Sequence, residues 1–512
     1  MRRLSGEDAG FLYMDLPGQP MNSMAIGVLE PSVRPLTLGE LRAHVAGRLD
    51  ELPSWRWRIK RIPGNLHHPV AWTPGDPDLE AHVTAIDLSV TEGCGDAFGT
   101  VRHPDEDRLL EQVFADLAEQ HLDPDLPLWR VWLLSGLNDG RQAVVVKYHH
   151  ALADGVGALA TLSRIFSDQP LPPPPDAGPV QPEREPGAVR LVLAALRAHL
   201  LALLTILPML RRTRRGIAAV RRRKAVSTVK MPAYVSGAPR TLLNEAFGPG
   251  RRYTRVELPL AGIKQTREQA RRAVPGVTLN DVLLGVVAGA CVRYLAAHQP
   301  EFDPLSSRPL LTTVPVADEG DGAPVRQHGN RFWSFTTSLA TDVADPVQRL
   351  RAISLAAREG KVRLDALGVV LVADWLDRLP PAVARRGITG ALARLEGDRE
   401  NADASILVSN VRGPHRRWSL GGREFVSIHL DGPPSNGVGI NVMAWSYADR
   451  LSLGVLGYDR ALAHPANFSR MLGESFEELL MATADAGDLA SDLVDDLNGD
   501  LDRDGLLEGD PA

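Results

Sequence analysis

Two cysteines in 512 residues, Cys94 and Cys291, set the first bound on this chain. They lie far apart and without metal-type spacing, so neither a disulfide scaffold nor a zinc site is expected, and a reducing cytoplasm is the expected compartment. Several catalytic signatures are missing as well: there is no G-x-S-x-G elbow, no H-E-x-x-H, no P-loop and no C-x-x-C. The opening Met1-Arg2-Arg3-Leu4-Ser5-Gly6-Glu7-Asp8 is not followed by an apolar run, so no secretory leader is expected. A net charge of −6 argues against a general nucleic-acid partner, and the basic residues are nearly all arginine. What remains is an ordinary globular composition, 44% hydrophobic and 23% charged, in a chain long enough for two domains.

The order of patterns divides the chain. Residues 1–169 read as a first lobe. It holds a strand at 20–30, a helix at 37–52 opened by a Thr37/Glu40 capping box, and an amphipathic helix at 107–122. A strand at 128–134 then turns through Asn138-Asp139-Gly140, a hairpin signal, into the apolar run that begins at Gln142. Trp55, Trp57 and Trp72 punctuate short strands and are read as core before cleft lining. Residues 170–187 are a stiff proline-rich linker.

Residues 188–230 are the most unusual stretch. An apolar run from 191 to 210, broken by Arg197, His199 and Pro208, passes into Arg211-Arg212-Thr213-Arg214-Arg215 and Arg221-Arg222-Arg223-Lys224. A spanning helix tolerates few charges. An interfacial helix that sinks an apolar face and offers cations to anionic lipid suits the pattern better; an interdomain helix with a solvated basic end is the open alternative. Residues 231–484 read as a second lobe, with strands near 253–258, 309–316, 332–339, 405–410, 438–445 and 451–455. Its helices are expected at 260–272, 278–297, 345–394 and 465–481. The acidic residues 485–512 are expected to be disordered.

The stretch Tyr148-His149-His150-Ala151-Leu152-Ala153-Asp154-Gly155 carries the chemistry. It follows Ala143-Val144-Val145-Val146, a buried-strand pattern, and precedes apolar residues at helical spacing. Alternation along a strand places His150 with Tyr148 and Val146, and His149 with Lys147, so one imidazole can face a cleft while the other packs. A neutral histidine can take a proton from an alcohol. Asp154 either orients it or pairs with an arginine elsewhere and locks the turn, while Gly155 permits a tight backbone. Loop histidines beside a turn are the bland alternative; their place at the end of a buried strand favours catalysis.

Read as HHxxxDG, these residues resemble the signature of the CoA-dependent acyltransferase superfamily, which includes chloramphenicol acetyltransferases, carnitine acyltransferases and peptide-synthetase condensation domains. Pro127-Leu128-Trp129 resembles the PLW motif of the bacterial wax ester synthase/diacylglycerol acyltransferase family, and Asn280-Asp281 its ND motif. Ser409-Asn410-Val411-Arg412-Gly413-Pro414 is similar to its SNVPGP segment, with Arg412 where proline is usual, and Leu4-Ser5-Gly6-Glu7-Asp8-Ala9-Gly10-Phe11 to its amino terminus. The resemblance runs in order from about residue 4 to about 480.

That resemblance implies an α/β, two-lobed chloramphenicol acetyltransferase-like fold with mixed sheets and helices around a central tunnel. Acyl-CoA would be a substrate, with no cofactor or metal, and the acceptor would be diacylglycerol or a fatty alcohol. His150 would be the general base, with His149 and Asp154 supporting it. Absence of an obvious nucleophile favours direct transfer. Asn280 would line the tunnel and donate to the thioester oxygen or simply cap a helix. Asp281 suits a helix N-terminus; Ser409 and Asn410 reach the cleft or serve the turn; Trp129 packs beneath the hairpin. Peripheral contact with the inner face of a membrane, or with lipid droplets, would come through 188–225. The competing expectations are a condensation-type enzyme on carrier-bound substrates and a non-catalytic lipid-droplet surface protein.

Overall fold

The computed structural model describes residues 1–90, 106–137, 139–169, 171–172, 181–229, 237–317, 326–368, 371–397 and 401–504. Helices of eight residues or more are numbered α1 (Gly6–Met14), α2 (Leu38–Arg48), α3 (Glu106–Glu119), α4 (Gly155–Ile165), α5 (Ala188–Val226), α6 (Leu260–Ala270), α7 (Leu279–His298), α8 (Pro346–Leu367), α9 (Leu371–Arg378), α10 (Pro381–Gly397) and α11 (Pro465–Asp504). Strands of five or more are β1 (Asn22–Leu29), β2 (Val83–Asp87), β3 (Trp129–Ser135), β4 (Gln142–His149), β5 (Arg251–Pro259), β6 (Leu311–Ala317), β7 (Phe332–Ser338), β8 (Ile406–Val411), β9 (Arg423–Asp431), β10 (Ile440–Tyr447) and β11 (Arg450–Tyr458).

Two six-stranded mixed sheets organise these elements. The first runs from the short strand Ser419–Leu420 through β9, β1, β4 and β3 to β2; the second runs β7-β6-β8-β10-β11-β5. Every residue of β1 and β4 is buried, which is why β4 reads as a near-continuous apolar run: it is covered on both faces. The β3–β4 hairpin forms with Trp129 opposite Tyr148, and Gly140 takes the positive φ of 75° that its turn needs; Asn138 lies outside the described residues. Thr37 opens α2 with the expected capping box to Glu40.

The second sheet is two-faced. Ile440, Val442 and Ala444 of β10 join the core under α7, α8 and α11. Their alternates Met443, Trp445 and Tyr447 pack instead with Trp55, Phe425 and other side chains of the first lobe. The period of two along a strand therefore hands one face of this sheet to its own lobe and the other to the neighbouring lobe.

Two expectations need correction. The second lobe does not keep all of 231–484: β9 crosses over and pairs antiparallel with β1, from Phe425 opposite Leu29 to Asp431 opposite Met24. Its backbone groups and its Phe425 and Ile428 side chains complete the first lobe's edge and core. The acidic residues 485–504 are not an unstructured tail but continue α11. Leu489, Leu493, Leu497 and Leu501 recur every fourth residue there, a helical spacing that outweighs the acidic composition; residues 505–512 lie outside the described set. Of the linker, Pro170 and residues 173–180 lie outside it too. Its last part runs beside the first lobe, where the Glu183 N–H donates to the Thr73 carbonyl at 2.7 Å.

Trp129 packs beneath the hairpin, as expected. It is fully buried, stacked on Trp55 at 4.0 Å and on His82 at 4.4 Å, and its Nε1 donates to the Trp55 carbonyl at 2.7 Å. Trp129→Ala should lower unfolding free energy by about 3–5 kcal/mol, read as a fall in the urea midpoint; a change under about 1 kcal/mol would show that the stack is not part of the core.

Candidate active site

His149 ends β4, and its backbone N–H donates to the Leu128 carbonyl at 2.9 Å, so the Pro-Leu-Trp stretch and the paired histidines are fastened to each other. Both nitrogens of the His149 ring are used: Nδ1 accepts the Ala151 N–H at 3.0 Å and Nε2 meets Asp15 Oδ2 at 2.8 Å. An imidazole that accepts on one nitrogen and donates from the other is locked in a single tautomer. It is 2% exposed. His149 is therefore built to hold the loop and not to move a proton.

His150 is arranged differently. Its Nδ1 lies 3.1 Å from Asn330 Oδ1. The amide orientation of Asn330 follows from its other bonds, because Nδ2 donates to the His150 carbonyl and to Asp8 Oδ1, each at 2.8 Å. Oδ1 must then accept, so Nδ1 of His150 carries the proton and the lone pair of the neutral ring resides on Nε2. The ring stacks on Phe11 at 4.0 Å with planes 16° apart, and its backbone N–H donates to the Met21 carbonyl at 2.8 Å. The residue keeps part of its surface accessible. Its ring is nonetheless surrounded by enough protein for burial to hold its pKa below the ordinary value, against the opposing pull of Asp154, its own carbonyl and Asn330.

Asp154 gathers four donors. Oδ1 accepts the Val156 and Gly157 N–H groups at 3.1 and 3.2 Å, capping α4. Oδ2 accepts Arg326 Nη2 at 2.7 Å and the Arg331 N–H at 2.8 Å. Of the two expected roles for Asp154, the structure has the second: it pairs with an arginine and locks the turn. A further backbone bond, Gly329 N–H to the Leu152 carbonyl at 2.6 Å, ties the same loop to the second lobe. Gly155 takes no positive φ; it serves close approach, since a Cβ there would lie 3.0 Å from Val411 Cγ2.

The remaining candidates divide. Ser409 shares with Val411 the face of β8 turned to the first lobe and is 9% exposed. Asn410 alternates to the other face and is exposed; the two were expected together, and the strand period separates them. Asp281 closes a capping box with Thr278 and accepts from Ser354 Oγ at 3.0 Å, a structural role. Asn280 is half-buried in the first turn of α7. Among the described residues no side-chain hydrogen bond joins it to the HHxxxDG loop.

Asp8, Phe11, Arg326 and Asn330 were missed. The first two lie inside the amino-terminal stretch already singled out, and the others between the strands expected near 309–316 and 332–339, where the sequence carries no catalytic signal. Burial raises the Asp8 pKa while Asn330 and Ser5 oppose it. Among the described residues no group of three or more His, Cys, Asp or Glu could hold a metal.

A cavity of about 290 Å³ adjoins this centre. Leu12, Leu128 and His149 form part of its wall, and Arg61, His121 and Arg385 stand at its exposed rim.

A two-lobed mixed α/β fold with an oriented neutral histidine between the lobes defines an acyltransferase of the HHxxxDG kind. Residues 4–283 match the wax ester synthase/diacylglycerol acyltransferase catalytic domain, and residues 328–480 the C-terminal domain of the same family. The chain belongs to that family. A candidate diacylglycerol O-acyltransferase of Mycobacterium tuberculosis is 32% identical over 488 residues, covering 94% of this chain and 96% of the relative. A second from the same organism is 31% identical over 493 residues, with 94% and 98% covered. In fold, the chain resembles the wax ester synthase/diacylglycerol acyltransferase of Marinobacter aquaeolei VT8, with TM-score 0.61, 22% identity, and 94% and 100% of the two chains covered. The first condensation domain of the CDA synthetase is more distant, with TM-score 0.53, 15% identity, and 95% and 97% covered. The protein is thus an acyl-CoA-dependent acyltransferase with an alcohol as acceptor, and the condensation and non-catalytic alternatives fall away.

The acid limb of the kcat–pH profile should lie below pH 6.5, because His150 must be neutral to accept a proton and burial lowers its pKa. Asn330→Ala should lower kcat at least ten-fold and move that limb further toward acid, since the lost bond favours the charged ring. A limb at or above 7 in the parent, or an unmoved limb in the variant, would contradict the assignment.

Proposed function

We propose that the chain transfers a long-chain acyl group from acyl-CoA to diacylglycerol or a long-chain fatty alcohol, with His150 as general base. The orientation of the His150 ring carries this reading: Asn330 and Asp8 fix the tautomer that leaves the lone pair on Nε2. Nε2 takes the hydroxyl proton as the alcohol oxygen bonds to the thioester carbonyl carbon. The tetrahedral intermediate collapses, the carbon–sulfur bond breaks, and the imidazolium returns its proton to the departing thiolate. The step balances with the two substrates and this chain's own residues. Ser409, on the face of β8 turned toward the loop, is our candidate for contact with substrate.

We read α5 as the contact with lipid. Its buried side docks on both lobes: Leu191 and Ala195 pack with Ile62 and Val70 of the first, and Gly216 lies against Leu367 of α8 in the second. Its outward side exposes Leu193, Leu196, Leu200, Leu204 and Leu207, each 54–76% accessible. The most apolar stretch of this helix is only 11% buried, against 72% for the equally long apolar stretch of the core helix α7. Arg211, Arg214 and Arg215 follow directly and are exposed. Apolar side chains beside arginines suit a surface of anionic lipid, the cytoplasmic membrane face or a lipid droplet.

Purified protein given palmitoyl-CoA with diolein or hexadecanol should release CoA thiol, and His150→Ala should lower that rate by about 10²–10⁴-fold; turnover within two-fold of the parent would reject His150 as the base. Replacing Arg211, Arg214 and Arg215 by Gln should weaken binding to phosphatidylglycerol vesicles at least ten-fold at low salt, each cation near such a surface contributing about 1 kcal/mol. Unchanged vesicle binding would remove the charge argument.

A further inference from the structure

We propose that Asp377 of α9, a residue outside every motif named above, is a positioning residue for His150. It holds the amino end of α1, the helix whose side chains set the catalytic ring. The proposal deepens the reading above and rests on His150 as the base.

The α1 segment meets the HHxxxDG loop from three of its residues. Asp8 Oδ1 accepts the backbone N–H and the Nδ2 of Asn330, at 2.7 and 2.8 Å, and Asn330 in turn holds His150 Nδ1. Phe11 stacks on the His150 ring. Asp15, which ends the helix, takes His149 Nε2. The seat of α1 therefore decides where the base points.

Little in α1 itself fixes that seat. The helix has nine residues, short of the roughly 12–15 at which a helix begins to persist by itself. The apolar cluster around Phe11 is small: Met21 and Ala151 are buried with it, and Leu12 and Met14 are half-buried beside them. Ser5 and Asp8 close a capping box, which shapes the first turn but does not place it against another element.

Asp377 supplies that placement. Its Oδ1 accepts the Gly6 N–H at 2.6 Å and its Oδ2 accepts Arg3 Nη2 at 3.2 Å. The Gly6 N–H is the first of the helix and has no acceptor within it, and a carboxylate there also meets the positive end of the dipole. The ion pair with Arg3 is 33–40% exposed, so solvent screens it and the bond to Gly6 matters more. The fit is close: a Cβ on Gly6 would lie 2.2 Å from the Leu376 carbonyl carbon. A second tie runs beside the first, as His68 Nε2 donates to the Leu376 carbonyl and its Nδ1 accepts from the Tyr13 hydroxyl, each at 2.8 Å.

The support under Asp377 is itself fastened. Trp375 Nε1 donates to Thr213 Oγ1 at 3.1 Å, Arg378 Nε to Thr205 Oγ1 at 3.0 Å, and Arg212 Nη1 to Asp374 Oδ2 at 3.4 Å. These bonds fix α9 on α5. Contact then runs without a break from α5 through α9 and α1 to the imidazole.

Asp377→Ala should lower kcat for palmitoyl-CoA with hexadecanol about ten-fold or more, since misplacing a catalytic group by about 1 Å can cost about a hundred-fold. Both KM values should stay within two-fold, because the residue acts on the base and not on substrate binding. Asp377→Asn keeps an oxygen for the Gly6 N–H and should recover kcat to within about three-fold of the parent. Combined with Phe11→Leu or with Asn330→Ala, Asp377→Ala should cost less than the product of the separate losses, as residues acting through one another do. Should Asp377→Ala not fold, Asp377→Glu, whose acceptor is displaced by one methylene, should lower kcat in the same way at unmoved KM. Parental activity in whichever variant folds, a raised KM with kcat retained, Asp377→Asn as impaired as Asp377→Ala, or strictly multiplicative losses would each overturn the role. His150→Ala turning over like the parent would instead defeat the assignment of the base, a different outcome from all of these.

Discussion

The structure depends on one carboxylate. Asp154 is 5% exposed, yet it accepts from two N–H groups of its own helix and from two groups of the 326–331 loop in the other lobe. A buried charge without partners would cost several kcal/mol, and removing one member of a buried pair typically costs about 3–5 kcal/mol. Here the four donors make the burial tolerable and join the lobes at the place where the reaction occurs. Asn330 stands one residue before Arg331 in that loop, so the bond that fastens the lobes also delivers the amide that orients His150. Fastening and orientation are one device.

Adjacent histidines of identical chemistry acquire opposite duties through position alone. His149 still belongs to the strand, where its ring is tied to Asp15 and to the Ala151 N–H. His150 has left it and meets Phe11 and Asn330 instead. Alternation along a strand, by contrast, separates Ser409 from Asn410 and divides Val442 from Met443. The end of β4 and a period of two along β8 and β10 decide which groups meet the junction between the lobes.

Much of this was legible in the sequence because the signals were local. The capping box at Thr37, the helix start at Asp281, the β3–β4 hairpin and the buried run before His149 each rest on residues within a few positions of one another. The family resemblance supplied the rest of the outline. What was not legible was non-local. Arg326 and Asn330 sit in a loop whose composition announces nothing, and reach the motif across more than 170 intervening positions. No strand is expected from the sequence at β9, and it is the unfilled edge beside β1 that calls it across. The continuation of α11 was misread because acidic composition was weighed above the spacing of its leucines.

The crossing of β9 also bears on how the molecule is made. The first lobe's sheet has an open edge at β1 until residue 431 has been synthesised, nearly three hundred positions after β4. During that interval Met24, Ile26 and Val28 stand on a strand with unpaired backbone groups, the kind of edge that recruits neighbouring chains. Closing it needs a contact of very long sequence separation, which slows folding. The nascent chain therefore carries a sticky border for most of its translation, and a chain cut short before β9 would keep that border permanently.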